Sequence, residues 1–162
     1  MKNNTGFTLL ELMVSVLIIG ILMAMAVPQY SNYIDRSNRT AMQADLMRIA
    51  SALERVRAVQ LSYANAKLTD TNIYGSAVYP IGSTGAKVLY NLTLGVSNGA
   101  ATAVTADADG ALTTTWEISA VPANRQAKDG MMKLNNLGQS CWNKGNATSC
   151  NVTDPDQSWR NK

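Results

Sequence analysis

The chain has 162 residues, 46 % of them apolar, a formal net charge of +3 and no histidine. That length holds one small domain beside a membrane segment. The missing His removes the commonest general base and the commonest metal ligand, and so small a charge carries no strong nucleic-acid signature.

The N-terminus is a short polar leader, Met1–Gly6, with Lys2 as its one cation, followed by Phe7-Thr-Leu-Leu-Glu11 and an apolar run to Val27 and Pro28. As a helix, residues 7–27 would span about 31 Å, close to a bilayer core. A secretory signal has its apolar stretch before the cut and loses it. Here the stretch follows Gly6, so cleavage at that point would leave it on the mature chain. Lys2 favours a cytoplasmic N-terminus. Glu11 is the one acid in the segment. An ordinary anchor has no need of it, since a charge at a membrane helix centre costs about 2.5–3.5 kcal/mol.

From Tyr30 the pattern turns amphipathic. Tyr30, Ile34, Ala41, Met42, Leu46, Ile49, Leu53 and Val56 recur at spacings of three and four, with one gap at Ser37–Asn38, and the charged residues fall largely off that stripe. One long helix is expected from about Phe7 to about Tyr63, its first half facing lipid and its second half packing on a domain. Gly20 and Pro28 punctuate it, the first by weakening the helix and the second by removing a backbone bond. Residues 64–86 read as a polar connection.

Strands follow. Val88, Tyr90, Leu92, Leu94 and Val96 alternate with Leu89, Asn91, Thr93 and Gly95, and Leu112–Val121 alternates around Trp116, Ile118 and Ala120. Residues 97–110 read as a loop, Asp129-Gly130 opens a third strand over Met131–Asn135, and Gly138 turns into a fourth over about Gln139–Asn143. The layout is α+β, a long helix on a four-stranded antiparallel meander. Cys141 and Cys150 both lie beyond the membrane segment, and an even count there reads as one disulfide. The tail from Asn151 is polar except for Trp159. It should be tethered at Cys150 and frayed beyond.

The Gly6-Phe7-Thr8-Leu9-Leu10-Glu11-Leu12 run resembles the class III signal of type IV pilins and related pseudopilins. Arg39-Thr-Ala-Met-Gln-Ala-Asp-Leu46, Ser62-Tyr63-Ala64, Ala120-Val-Pro122 and Cys141-Trp142 look like the helix and strand region of PilE-type minor pilins. The resemblance implies the type IV pilin fold, with residues 1–6 a leader, 7–29 the membrane and filament-core half of the helix, and 30–162 a periplasmic domain. It implies cleavage after Gly6 by a prepilin peptidase, N-methylation of Phe7, and an inner-membrane chain that later joins a surface pilus. It also implies that Glu11 pairs with a subunit's N-terminal amine during assembly, and that the stretch from Gly20 to Pro28 melts when subunits pack. The partners implied are other pilin subunits and the assembly platform. The function implied is structural, in a retractable fibre serving twitching, adhesion and DNA uptake. Relatives usually carry a Cys just after the Asp that opens the third strand. Here Gly130 and Met131 stand there, which leaves Cys141 with Cys150.

Two alternatives stay open. A type II secretion pseudopilin would have a similar start, and such proteins often bind calcium. Asp107-Ala-Asp109-Gly110 hints at a calcium loop, but Thr105 and Trp116 stand where further acids are needed. No metal or other cofactor is therefore expected. A DNA-binding pilin is the second alternative, with Trp142, Lys144, Trp159, Arg160 and Lys162 as a candidate basic-aromatic surface. No enzymatic role is expected.

Overall fold

The computed structural model describes residues 7–97 and 114–159. The calcium-like run 105–110 therefore lies outside the described residues, as do the leader with Gly6, residues 112–113 of the expected second strand, and Arg160 and Lys162. The chain divides between Asn38 and Arg39 into two compact units.

Helix α1 is Leu9–Gln60, 52 residues long, with Pro28 inside it. It starts two residues after the expected point and stops three before it. The stop is made by Leu61, whose φ of 57° is left-handed and whose N–H bonds the Arg57 carbonyl at 2.7 Å, a cap geometry more often given to Gly. In the first unit every described side chain from Phe7 to Tyr33 is exposed. α1 is long and apolar enough to cross a membrane.

In the second unit α1 buries Met42, Leu46, Ile49, Ala52 and Leu53. The expected stripe is right from Met42 onward, but Tyr30 and Ala41 are exposed. The buried face packs in one core with Tyr90, Leu92, Leu94, Ile118, Ala120, Met132, Leu134 and Trp142.

The sheet has five antiparallel strands in the order β1 (Val78–Tyr79), β2 (Tyr90–Gly95), β3 (Glu117–Pro122), β4 (Gly130–Asn135) and β5 (Ser140–Lys144). The meander was expected to have four. The extra strand β1 lies in the segment read as a connection, and two residues are too short to show a period of two. Alternate residues of β2, β3 and β4 face α1. The opposite face of β3 and β4 is buried too. Met131, Cys141, Cys150 and Val152 form a second small core there, and Lys133 Nζ meets Glu117 Oε1 at 2.7 Å with both side chains 0 % exposed. The tail is thus packed at Val152, and Trp159 lies against the main core. The fraying expected beyond Cys150 is corrected by that apolar cover.

Three polar ties fix this part of α1 to the domain. Tyr74 donates to Asp45 at 2.8 Å. Tyr63 and Trp116 donate to Glu54 at 2.8 and 3.2 Å. Arg39 pairs with Asp129, which also accepts from Tyr90 at 2.7 Å, and the guanidinium lies 3.9 Å over the Trp142 ring. Partly shielded from water, such bonds specify one arrangement of helix on sheet.

Candidate functional site

The strand register gathers three connections at one end of the sheet. Tyr90 at the start of β2 pairs with Pro122 at the end of β3, and Gly130 at the start of β4 pairs with Lys144 at the end of β5. The connections 80–89, 123–129 and 145–149 therefore meet there. Asn124 ties two of them, its Nδ2 donating to the carbonyls of Gly85 at 3.0 Å and Val88 at 2.8 Å. The Gly145 N–H donates to the Asp129 carbonyl at 3.2 Å and joins the third.

Lys87, Arg125 and Lys128 are exposed on these connections, and Lys144 is exposed at the end of β5 beside them. The one acid among them is Asp129, and Arg39 already engages it. The result is a local excess of positive charge on a chain of modest net charge. It suits a polyanion, because a cluster of cations concentrates the field that composition averages away.

Gly130 makes the close approach of these connections possible. Its φ is +117°, and a Cβ there would lie 2.1 Å from the Asn143 carbonyl oxygen. Any side chain is excluded at this point with this backbone. Met131, the next residue, instead packs on the Cys141–Cys150 disulfide, whose Cα atoms are 5.9 Å apart.

The basic-aromatic set read from the sequence is only partly assembled. Lys144 joins the cationic end. Trp142 is 8 % exposed and lies under Arg39 with its Nε1 donating to the Asp129 carbonyl at 3.1 Å, so it offers no face to a base. Trp159 packs on the core. Lys87, Arg125 and Lys128 were missed because Lys87, the Arg125–Lys128 pair and Lys144 lie on separate stretches of the chain, and only the register brings them together. Tyr90 sits beneath this end with its pKa raised, by burial first and then by its bond to Asp129, so it stays a neutral donor.

In the first unit Phe7 is exposed ahead of α1, and Glu11 lies in its first turn. The Glu11 N–H bonds Thr8 Oγ1 at 3.2 Å, and Ser15 Oγ donates to the Glu11 carbonyl at 2.7 Å. Gly20 has open space around it, and the helix is continuous through Gly20 and Pro28. Among the described residues no His/Cys/Asp/Glu group is arranged to hold a metal.

Residues 28–141 match the family described as "Type IV minor pilin ComP, DNA uptake sequence receptor", and residues 1–27 match the prokaryotic N-terminal methylation motif. Among curated relatives, the type IV major fimbrial protein FimA of Dichelobacter nodosus is 51 % identical over 49 residues, 30 % of this chain and 31 % of that protein. A fimbrial protein of Pseudomonas aeruginosa is 46 % identical over 54 residues, 33 % of this chain and 35 % of that one. The type II secretion system core protein G of Pseudomonas aeruginosa is 39 % identical over 62 residues, 38 % and 44 % of the two chains. The chain spans about a third of the length of the first of these relatives. No solved structure matches.

Proposed function

The chain belongs to the type IV minor pilin ComP family, and from that premise we propose that it is a minor structural subunit of a type IV pilus that binds DNA through the cationic end of its sheet. The observation that carries this reading is the family match across residues 28–141, which takes in most of the described domain. The exposed Lys87, Arg125, Lys128 and Lys144 supply the charge such a role needs.

The chain is the substrate of a prepilin peptidase and not itself an enzyme. Cleavage after Gly6 exposes Phe7 for N-methylation, and the apolar half of α1 holds the chain in the inner membrane with the domain in the periplasm. The Glu11 carboxylate, expensive in hydrocarbon without a cation, pairs with the Phe7 amine of a neighbouring subunit as the fibre grows. The turns between Gly20 and Pro28 are the weakest part of the helix and melt on packing. The assembly platform and other pilin subunits are its partners, and the finished fibre serves twitching, adhesion and DNA uptake. The secretion-pseudopilin alternative is disfavoured because the family that matches residues 28–141 is one of type IV minor pilins.

Mass spectrometry of sheared fibres tests the structural part. The expected finding is this chain at low abundance beside a major pilin, beginning at N-methyl-Phe7. Its absence from fibres, or a mature chain that keeps Met1–Gly6, overturns the reading.

A further inference from the structure

Arg39, the first residue of the second unit, lies at the cationic end without joining its exposed set. Its side chain is 17 % exposed and paired with Asp129, and its guanidinium lies 3.9 Å over the Trp142 ring. A guanidinium held this way has little left to offer a phosphate. What it controls is Asp129. That residue directly follows Lys128, its side chain is 6 % exposed, and it is the one acid on the three connections. Its carboxylate also accepts from Tyr90 at 2.7 Å. Burial first, and that bond second, raise the Tyr90 pKa, so Tyr90 brings a proton and no charge. Arg39 brings the charge.

Asp129 is also where two of the connections are joined. Its N–H donates to the Gln126 carbonyl at 2.8 Å. Its own carbonyl accepts from the Gly145 N–H at 3.2 Å and from Trp142 Nε1 at 3.1 Å. The backbone of Asp129 is therefore fixed from both sides, and its carboxylate cannot leave this end of the sheet without loosening those bonds. Without a cation it would hold a negative charge beside Lys87, Arg125, Lys128 and Lys144. Water and salt reach so covered a carboxylate poorly, so they would screen it little. It would cancel one of the four charges that these side chains offer a polyanion.

We infer that Arg39 is a positioning residue of the DNA site, acting through Asp129: it keeps that carboxylate neutralised, so that phosphates meet the full charge of the four exposed cations. This rests on the assignment of the cationic end to DNA. The test is a charge cycle, read as binding of the full chain in detergent to a short mixed-sequence duplex DNA at about 50 mM salt, with Trp fluorescence reporting the folded fraction of each variant. The wild-type chain binds. Arg39→Ala binds about fivefold more weakly. Asp129→Asn, which keeps Arg39, binds about fivefold more tightly, a result that loss of structure cannot produce. The double variant, Arg39→Ala with Asp129→Asn, returns to within about twofold of wild type, because the local charge balances again although the ion pair and the stack are gone. Raising the salt to about 200 mM draws the four proteins together. Should Arg39→Ala fail to fold, Asp129→Asn and the double variant decide. A double variant as weak as Arg39→Ala gives Arg39 a structural role alone and overturns the inference. So does Arg39→Ala at wild-type affinity, or Asp129→Asn that binds no tighter than wild type. A wild-type chain that does not bind at this salt instead removes the DNA reading, and the inference falls with it.

Discussion

The two units of the chain use one helix under different rules. In the first, apolar side chains run all round α1, and all described residues from Phe7 to Tyr33 are exposed. In the second, apolar residues return every three or four positions and are fully buried against the sheet. The first unit supplies apolar surface and no core, so its cover must be lipid or another subunit. The second supplies both the surface and its cover. A substitution in one should therefore register in assembly, and in the other in unfolding. All three tryptophans, Trp116, Trp142 and Trp159, lie in the second unit, so fluorescence reports that unit alone.

The largest effect on unfolding is expected at Gly130. Gly130→Ala forces a Cβ to 2.1 Å from a backbone oxygen at a φ of +117° and should cost about 4 kcal/mol in urea unfolding. A loss under about 1 kcal/mol would mean that the β4–β5 register shifts easily.

Arg39→Ala comes next. It leaves the nearly buried Asp129 carboxylate with Tyr90 but without its cation, and should cost about 3 kcal/mol. Arg39→Lys should cost less, because charge remains while the stack on Trp142 is lost. Equal losses for the two would point to the stack rather than the ion pair.

A smaller effect is expected in alkali. Burial first, and bonds to Asp45 and Asp129 second, raise the pKa values of Tyr74 and Tyr90, and burial with the charge of Asp45 raises that of Tyr79. Below the ordinary tyrosine value near 10 both folded and unfolded chains keep these protons, and stability is unaffected. Above it the unfolded chain loses them while the folded chain holds them, so stability falls as pH rises. After allowance for partial exposure the loss should be on the order of 1–2 kcal/mol between pH 10 and 11. A stability flat to pH 11 would refute the burial of these hydroxyls.

The smallest change in unfolding, none beyond about 0.5 kcal/mol, is expected for Glu11→Ala. The same variant should be depleted from sheared fibres relative to wild type. Wild-type incorporation would remove the pairing role, and a destabilised domain would break the independence of the two units.

What was legible in the sequence divides along the same line. The membrane helix follows from summed hydropathy, and the Met42–Leu53 face from its spacing, because each is a local signal. Strands β2 and β3 were readable from alternation, and β4 and β5 from the turn signals at Asp129-Gly130 and Gly138. Strand β1 was not, being two residues long. Residues on both faces of β3 and β4 are buried, so Lys133 and Glu117, which a one-sided sheet would place in solvent, hide in the second core. Trp142 looked like a stacking platform in sequence, and only its contact with Arg39 shows it occupied. The cationic end depends on register across three connections, which no window of sequence contains.

That cationic end carries the central claim, and salt dependence tests it most directly. Binding of the full chain in detergent to a short duplex DNA should weaken between about 50 and 200 mM salt, with a log–log slope of about −3 to −4 for four phosphate contacts. Replacing Lys87, Arg125, Lys128 and Lys144 together by Ala should flatten that slope toward zero and leave Trp-monitored unfolding unchanged. A wild-type chain that does not bind at low salt, or a quadruple variant that keeps the wild-type slope, would contradict the assignment of this end of the sheet to DNA.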